Sequence, residues 1–131
     1  MPTCFVYGTL TDPDRVAALL DGGWTFVGPA RVAGLHVVRG EYPTLAPGGE
    51  ADGRLLRVDD DALATLDRYE GVPDGRYVRV SLCRSDGDAV ETYVGDPAAL
   101  GVADGWPGRG PFAERVRAYL RDADVVVEPT G

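Results

Sequence analysis

The residue best placed to do chemistry is Glu70, the eighth residue of the stretch Leu63 to Arg79 (LATLDRYEGVPDGRYVR). Leu63, Leu66 and Glu70 stand at i, i+3 and i+7, so at about 100° per residue on a helix the carboxylate continues an apolar stripe. Asp60, Asp67 and Arg68 fall on the opposite, charged side of that reading. Desolvation disfavours the charged form of a carboxylate, and the negative end of the helix dipole acts the same way. A carboxyl group so placed holds its proton closer to neutrality and can serve as a general base and then as a general acid. In the bland alternative the helix frays at Tyr69 and Glu70 points to water.

The helix that must carry this group has its start and stop written out. Asp59 is a good N-cap, Asp60 and Asp61 follow in the first turn, Gly71 supplies the stop and Pro73 comes just beyond. Tyr69, about 100° further round the helix, is expected not to share the face of Glu70. A second candidate lies near the N-terminus. Thr3 to Tyr7 reads as a buried strand ended by Gly8, and a helix opens at Asp12-Pro13 with Val16, Leu19 and Leu20 at core spacing and Gly22-Gly23 as its stop. The turn between them, Gly8-Thr9-Leu10-Thr11, resembles no dinucleotide fingerprint or P-loop, but a strand running through glycine into a helix leaves backbone N–H groups free for a carboxylate or phosphate.

The remaining pattern is short strands and turns. Trp24 to Val27 and Ala30 to Val38 read as two strands joined at Gly28-Pro29. Glycine and proline from Gly40 to Gly49 interrupt the pattern around YPTL, and Ala51 to Val58 reads as a strand leading into the Glu70 helix. Tyr77 to Cys83 and Ala89 to Val94 form a hairpin about Asp86-Gly87. Asp96 to Gly110, with Trp106, reads as an irregular excursion lying against the body or the site. Phe112 to Arg121 is an amphipathic helix with Phe112, Val116, Tyr119 and Leu120 inward, and Val125 to Val127 adds an edge strand. The expected architecture is α+β, a small curved or barrel-like mixed sheet flanked by a few short helices, in one domain over residues 1–131.

Composition narrows the function classes. The net charge is −8, and all thirteen basic residues are arginine, which disfavours a nucleic-acid surface and removes lysine Schiff-base chemistry. This composition is compatible with a GC-rich genome or with a salt-adapted cytoplasm. Cys4 and Cys83 read as reduced strand residues of the core, and the single histidine, His36, as a strand residue; neither these nor Asp59 to Asp61 have the grouping of a metal site. No apolar run approaches a membrane span and no leader is visible, so the expected location is the cytoplasm. Nothing in the pattern specifies an oligomeric state.

Five segments in order, FVYGTL (5–10), EYPTL (41–45), LDRYEG (66–71), YVRV (77–80) and YVGDP (93–97), resemble the γ-glutamylcyclotransferase-like family, including its AIG2-like and γ-glutamylamine cyclotransferase branches. The resemblance covers roughly residues 4 to 97 and does not extend to the tail from Ala98 onward. It implies a small β-barrel flanked by helices and an intramolecular reaction of a small γ-glutamyl substrate, releasing 5-oxoproline and a free amine or amino acid without metal or organic cofactor. Glu70 matches the family's catalytic glutamate, and Tyr7, Gly8, Thr9 and Leu10 match its substrate-binding loop. By their place in the matching segments Tyr42, Pro43 and Tyr77 are candidates for the pocket wall. Arg79 shares a strand face with Tyr77 and could reach Glu70 or the substrate; paired with Glu70 it would lower that carboxyl's pKa. A second reading keeps the fold and the anion loop in a non-catalytic ligand-binding or interaction protein. A third puts other amide or ester chemistry in the same pocket. The carboxylate on the apolar stripe favours the enzyme, because binding alone has no use for it.

Overall fold

Side chains alternate across a strand, and in the first strand they go to two different cores. In β1 (Thr3–Val6), Phe5 joins one buried cluster while Cys4 and Val6 join another. The computed structural model describes residues 1–39, 42–102 and 105–130, so Glu41 of the EYPTL segment, the start of the Gly40 to Gly49 stretch, positions 103 and 104 of the Asp96 to Gly110 stretch, and the last residue of the chain lie outside it.

Six strands close into a mixed barrel in the order β1-β3-β2-β6-β4-β5, with β2 at Trp24–Val38, β3 at Thr44–Val58, β4 at Tyr77–Arg84, β5 at Ala89–Gly95 and β6 at Val126–Pro129. The ring is mixed because β5 meets β1, and β6 meets β4, in parallel. All six strands feed one cluster, through Phe5, Val32, Leu55, Val80, Val94 and Val127 among others, which makes that cluster the barrel interior. The second cluster lies outside it. Cys4, Val6, Leu56 and Val58 there meet Val16 of helix α1 (Pro13–Leu19), Leu20 just after its end, and Leu63 and Leu66 from α2 (Asp60–Tyr69). A 3-10 turn, Thr9–Thr11, joins β1 to α1, and two further helices, α3 (Pro97–Leu100) and α4 (Phe112–Asp122), follow β5.

Several expectations are corrected by pairing that is not local. The two strands about Gly28-Pro29 are one strand, β2, which passes that dipeptide through a register shift between Phe26 and Gly28. The glycine-rich segment after residue 40 does not break the chain either, since β3 runs from Thr44 through Gly48-Gly49 to Val58. A second shift, between Ala33 and Leu35, sets Gly34 against this glycine pair. Tyr119 of α4 holds the irregularity: its hydroxyl donates to the Gly34 carbonyl (2.7 Å) and accepts from the Gly48 amide (3.1 Å).

The stretch from Asp96 to Gly110 is not wholly irregular, for α3 forms within it, capped by the Asp96 side chain on the Ala98 amide. Trp106 belongs to the body, buried in the interior cluster with its ring edge-on to Phe112 and Tyr119. The expected edge strand at the C-terminus is no edge. β6 pairs with β2 on one side and β4 on the other and so closes the barrel. Cys4 is buried, and desolvation pushes its thiol up to about 12, but Cys83 is exposed on the outside of β4 and is not a core residue. Among the described residues, no helix is long and apolar enough to cross a membrane.

Candidate active site

Glu70 owes its position to how α2 ends. The helix starts as its sequence indicates, with the Asp59 carboxylate accepting from the Ala62 amide at 2.8 Å. At the other end Gly71 is left-handed (φ 73°), the Gly71 amide donates to the Arg68 carbonyl (3.1 Å) and the Val72 amide to the Asp67 carbonyl (3.0 Å). That pair of bonds is a Schellman motif with Glu70 as the C-cap. The helix does not fray there. Glu70 keeps its amide bond to the Leu66 carbonyl (2.9 Å) and an αR backbone, and its side chain turns into a cavity.

That cavity, of about 360 Å³, lies between the 3-10 turn, the end of α2 and the start of β4. Its walls include Tyr7, Gly8, Thr9, Leu10, Tyr42, Pro43, Tyr69, Glu70 and Tyr77. The structure thus brings together residues from four separated segments of the chain that the sequence singles out.

The aromatic wall is pinned by its hydroxyl groups. Tyr77 donates to the Pro43 carbonyl at 2.7 Å, and Tyr7 donates to the Tyr93 carbonyl. Burial raises both phenol pKa values; Tyr77 and Glu70 add to the rise at Tyr7, while at Tyr77 Glu70 adds to it and Arg76 opposes it. Both tyrosines therefore stay neutral donors beside the carboxylate. Pro43 is held from a second side by Gly8, where a Cβ would stand 2.9 Å from the Pro43 Cγ. Gly8 is thus required by the contact between its own loop and the pocket wall.

The loop itself is a tight turn. Its first backbone bond runs from the Thr11 amide to the Gly8 carbonyl (3.1 Å), which also accepts from the Thr11 hydroxyl (2.7 Å). The amides of Thr9 and Leu10 precede that bond and have no partner within the turn.

Burial is what shifts Glu70. Desolvation raises its carboxyl from 4.5 to about 7, and among the described residues no cation pairs with it. Arg79 is not the partner that the strand pattern permits. Its Nε pairs with Asp67 (3.2 Å) and its Nη1 with Glu91 (3.0 Å), and it is not among the residues lining the cavity. Two residues of strand rise, about 7 Å, carry it from the position of Tyr77 to a place beneath α2.

Asp67 is likewise not on the solvent face assigned to it. It follows Leu63 by one helical turn, accepts from the Tyr93 hydroxyl (2.7 Å) and receives Arg79. Tyr69 is the third correction. It lines the cavity with Glu70 and its hydroxyl lies 3.1 Å from the Thr9 Oγ1, because a long side chain at the last helical position can reach back over the loop. Sequence reasoning also passes over Arg15 of α1 and Arg76, just before β4, both exposed and both at the cavity wall. Only the adjacency of Arg76 to Tyr77 hints at either.

A family model described as "Gamma-glutamyl cyclotransferase, AIG2-like" matches residues 4–105 of the chain. No curated protein matches it. Among solved structures, an Arabidopsis thaliana protein known from its solution structure is 30% identical, with 92% of this chain and 84% of that chain covered and a TM-score of 0.60. A structure titled gamma-glutamyl cyclotransferase is 14% identical over 92% of this chain and 98% of its own, with a TM-score of 0.60. An uncharacterized Pyrococcus horikoshii protein is 19% identical over 93% and 98%, with a TM-score of 0.61. The last two show a shared fold.

Proposed function

The chain belongs to the gamma-glutamyl cyclotransferase, AIG2-like family, and from that premise we propose that it cyclises a small γ-glutamyl compound, releasing 5-oxoproline and a free amine or amino acid, with Glu70 as the acid–base group. The observation that carries this reading is a carboxyl raised to about 7 by burial, facing a cavity without an ion-pair partner among the described residues. Such a group is split between its two protonation states at neutral pH, which suits it to take a proton and give it back.

In this mechanism Glu70 takes a proton from the substrate's α-ammonium group. The neutral amine attacks its own γ-carbonyl carbon and the ring C–N bond forms. Protonated Glu70 delivers that proton to the departing nitrogen of the tetrahedral intermediate and, as the carboxylate again, takes the second proton from the ring nitrogen; the old C–N bond breaks, and the released amine carries this last proton away as its ammonium. Water is neither consumed nor produced, and excluding it keeps hydrolysis from competing. The substrate's α-carboxylate is held by the Tyr7-Gly8-Thr9-Leu10 turn, whose first amides are unpaired within it; the same or neighbouring donors face the oxyanion as the ring closes. Tyr42, Pro43, Tyr69 and Tyr77 enclose the glutamyl chain.

The test is turnover of a panel of γ-glutamyl amino acids and amines, with 5-oxoproline detected by mass spectrometry. Wild type should release it from at least one member, and Glu70→Gln should be slower by about 10²-fold or more. Full activity of Glu70→Gln, or no turnover of any member by wild type, would sink the proposal.

A further inference from the structure

Glu70 is the only carboxylate residue among the described residues lining the cavity, yet two arginines, Arg15 and Arg76, are also among its lining residues. Among the described residues neither arginine is in an ion pair, a condition they share with other arginines of the chain; what distinguishes these two is that both stand at the cavity, in a chain that carries 21 acidic side chains against 13 arginines. In so acidic a protein, two arginines left without carboxylate partners at one cavity suit a ligand that brings its own anions.

The two cations belong to different walls. Arg15 follows the Thr9–Thr11 turn on α1, beside the loop assigned to the substrate's α-carboxylate, an anion that every γ-glutamyl compound has. Arg76 is held at the other wall, next to the acid–base group. Its amide donates to the Gly71 carbonyl (3.1 Å) and its carbonyl accepts from the Asp96 amide (2.9 Å). Its side chain lies across Gly71, where a Cβ would stand 3.1 Å from the Arg76 Cβ, and Tyr77 follows directly in β4. A substrate with its α-amine at Glu70 and its α-carboxylate at the loop has only its leaving group left to meet Arg76.

We propose that Arg76 is a specificity-determining residue that recognises a carboxylate on the leaving amine, so that the preferred substrates are γ-glutamyl amino acids and not γ-glutamyl derivatives of simple or cationic amines. This rests on the cyclotransferase reading for the orientation of the substrate. An amino-acid leaving group supplies a carboxylate that the guanidinium can bind through two parallel N–H bonds. A simple amine offers the cation no anion to pair with, and a polyamine adds a like charge beside it.

The matched probes are γ-glutamyl-alanine and γ-glutamyl-ethylamide, which differ by the leaving group's carboxylate. Binding is measured by calorimetry in the Glu70→Gln protein, where turnover is slowed, with the absence of 5-oxoproline over the titration checked by mass spectrometry. The alanine compound should bind about tenfold more tightly, and the difference should shrink in 0.5 M salt. Arg76→Gln in the same background should bring the two affinities within about twofold by weakening only the alanine compound, whereas Arg15→Gln should weaken both. Equal affinities before the substitution, no binding of either probe, equal weakening of both by Arg76→Gln, or loss of the preference through Arg15→Gln instead would each overturn the assignment. Turnover by wild type is scored separately: failure to cyclise either probe, with the affinity difference intact, removes the reaction but not the carboxylate site.

Discussion

A proton on Glu70 links folding and chemistry through the same burial. Its carboxyl titrates near 4.5 when exposed and near 7 in the folded protein, so between these values the native state binds more of that proton than the unfolded chain does. Stability must then fall as pH rises through this window, by on the order of 3 kcal/mol once the group is ionised. Glu70→Gln, which mimics the neutral acid, should match wild type in urea unfolding near pH 4 and exceed it by about that amount at pH 8. A variant equal to wild type at both pH values would mean that the carboxyl is not desolvated. The catalytic counterpart has the opposite sign, because kcat/KM should rise with pH through about 7 as the base ionises. Of all residues, Glu70 was the one whose placement could be read from i, i+3, i+7 spacing. Arg79 and Asp67 could not be placed that way, because their environment is set across strands by Tyr93 and Glu91.

Element ends decide whether that carboxylate stays where the cavity needs it. In α2 the two terminal bonds and the left-handed Gly71 form a single device, and Gly71 also leaves room for Arg76. Gly71→Ala should cost about 1–2 kcal/mol through strain at positive φ and crowding of Arg76. Because both groups at the site move with it, KM should rise alongside the shift in unfolding midpoint. An unchanged KM would show that the helix end does not position the site. Such caps were legible because they are local: Asp59, Gly71, Asp12 and Pro13 mark their own helices. The glycine-rich start of β3 was misread for the converse reason, since what carries the strand through Gly48-Gly49, both at positive φ, is pairing with β2 on either side and a hydroxyl from α4, far away in sequence. Tyr119→Phe removes that hydroxyl and leaves the Gly34 carbonyl and Gly48 amide without it, so thermal or urea unfolding should show a loss of about 1–2 kcal/mol. Cyclisation per folded molecule should be unchanged, since Tyr119 is not among the residues lining the cavity.

At the scale of the whole molecule, what matters is that a barrel has no edges only if every strand is present. The tail beyond Ala98 had no motif to recommend it, and a four-residue strand after a helix reads as an optional edge. Its role depends on a ring closure that local pattern does not encode. β6 pairs antiparallel with β2 from Ala30 to Ala33 and parallel with β4 at Cys83 and Arg84, while Val125 and Val127 are buried in the interior cluster. Bonds from the Ser85 amide to the Val127 carbonyl (2.9 Å) and from the Thr130 amide to the Pro29 carbonyl (3.0 Å) extend the closure at both ends. Removing residues 124–131 would therefore do more than delete a strand. It would bare the edges of β2 and β4 and open the interior to water at once. The truncated chain should lose cooperative unfolding or aggregate through those edges, by circular dichroism and size-exclusion chromatography, even though the cavity around Glu70 is built from other elements. Val127→Ala, which keeps the backbone and removes only buried methyl groups, should cost about 2 kcal/mol and leave activity per folded molecule intact. A truncated protein that stays monomeric and unfolds within about 1 kcal/mol of wild type would instead show that β6 is an accessory to a barrel complete without it.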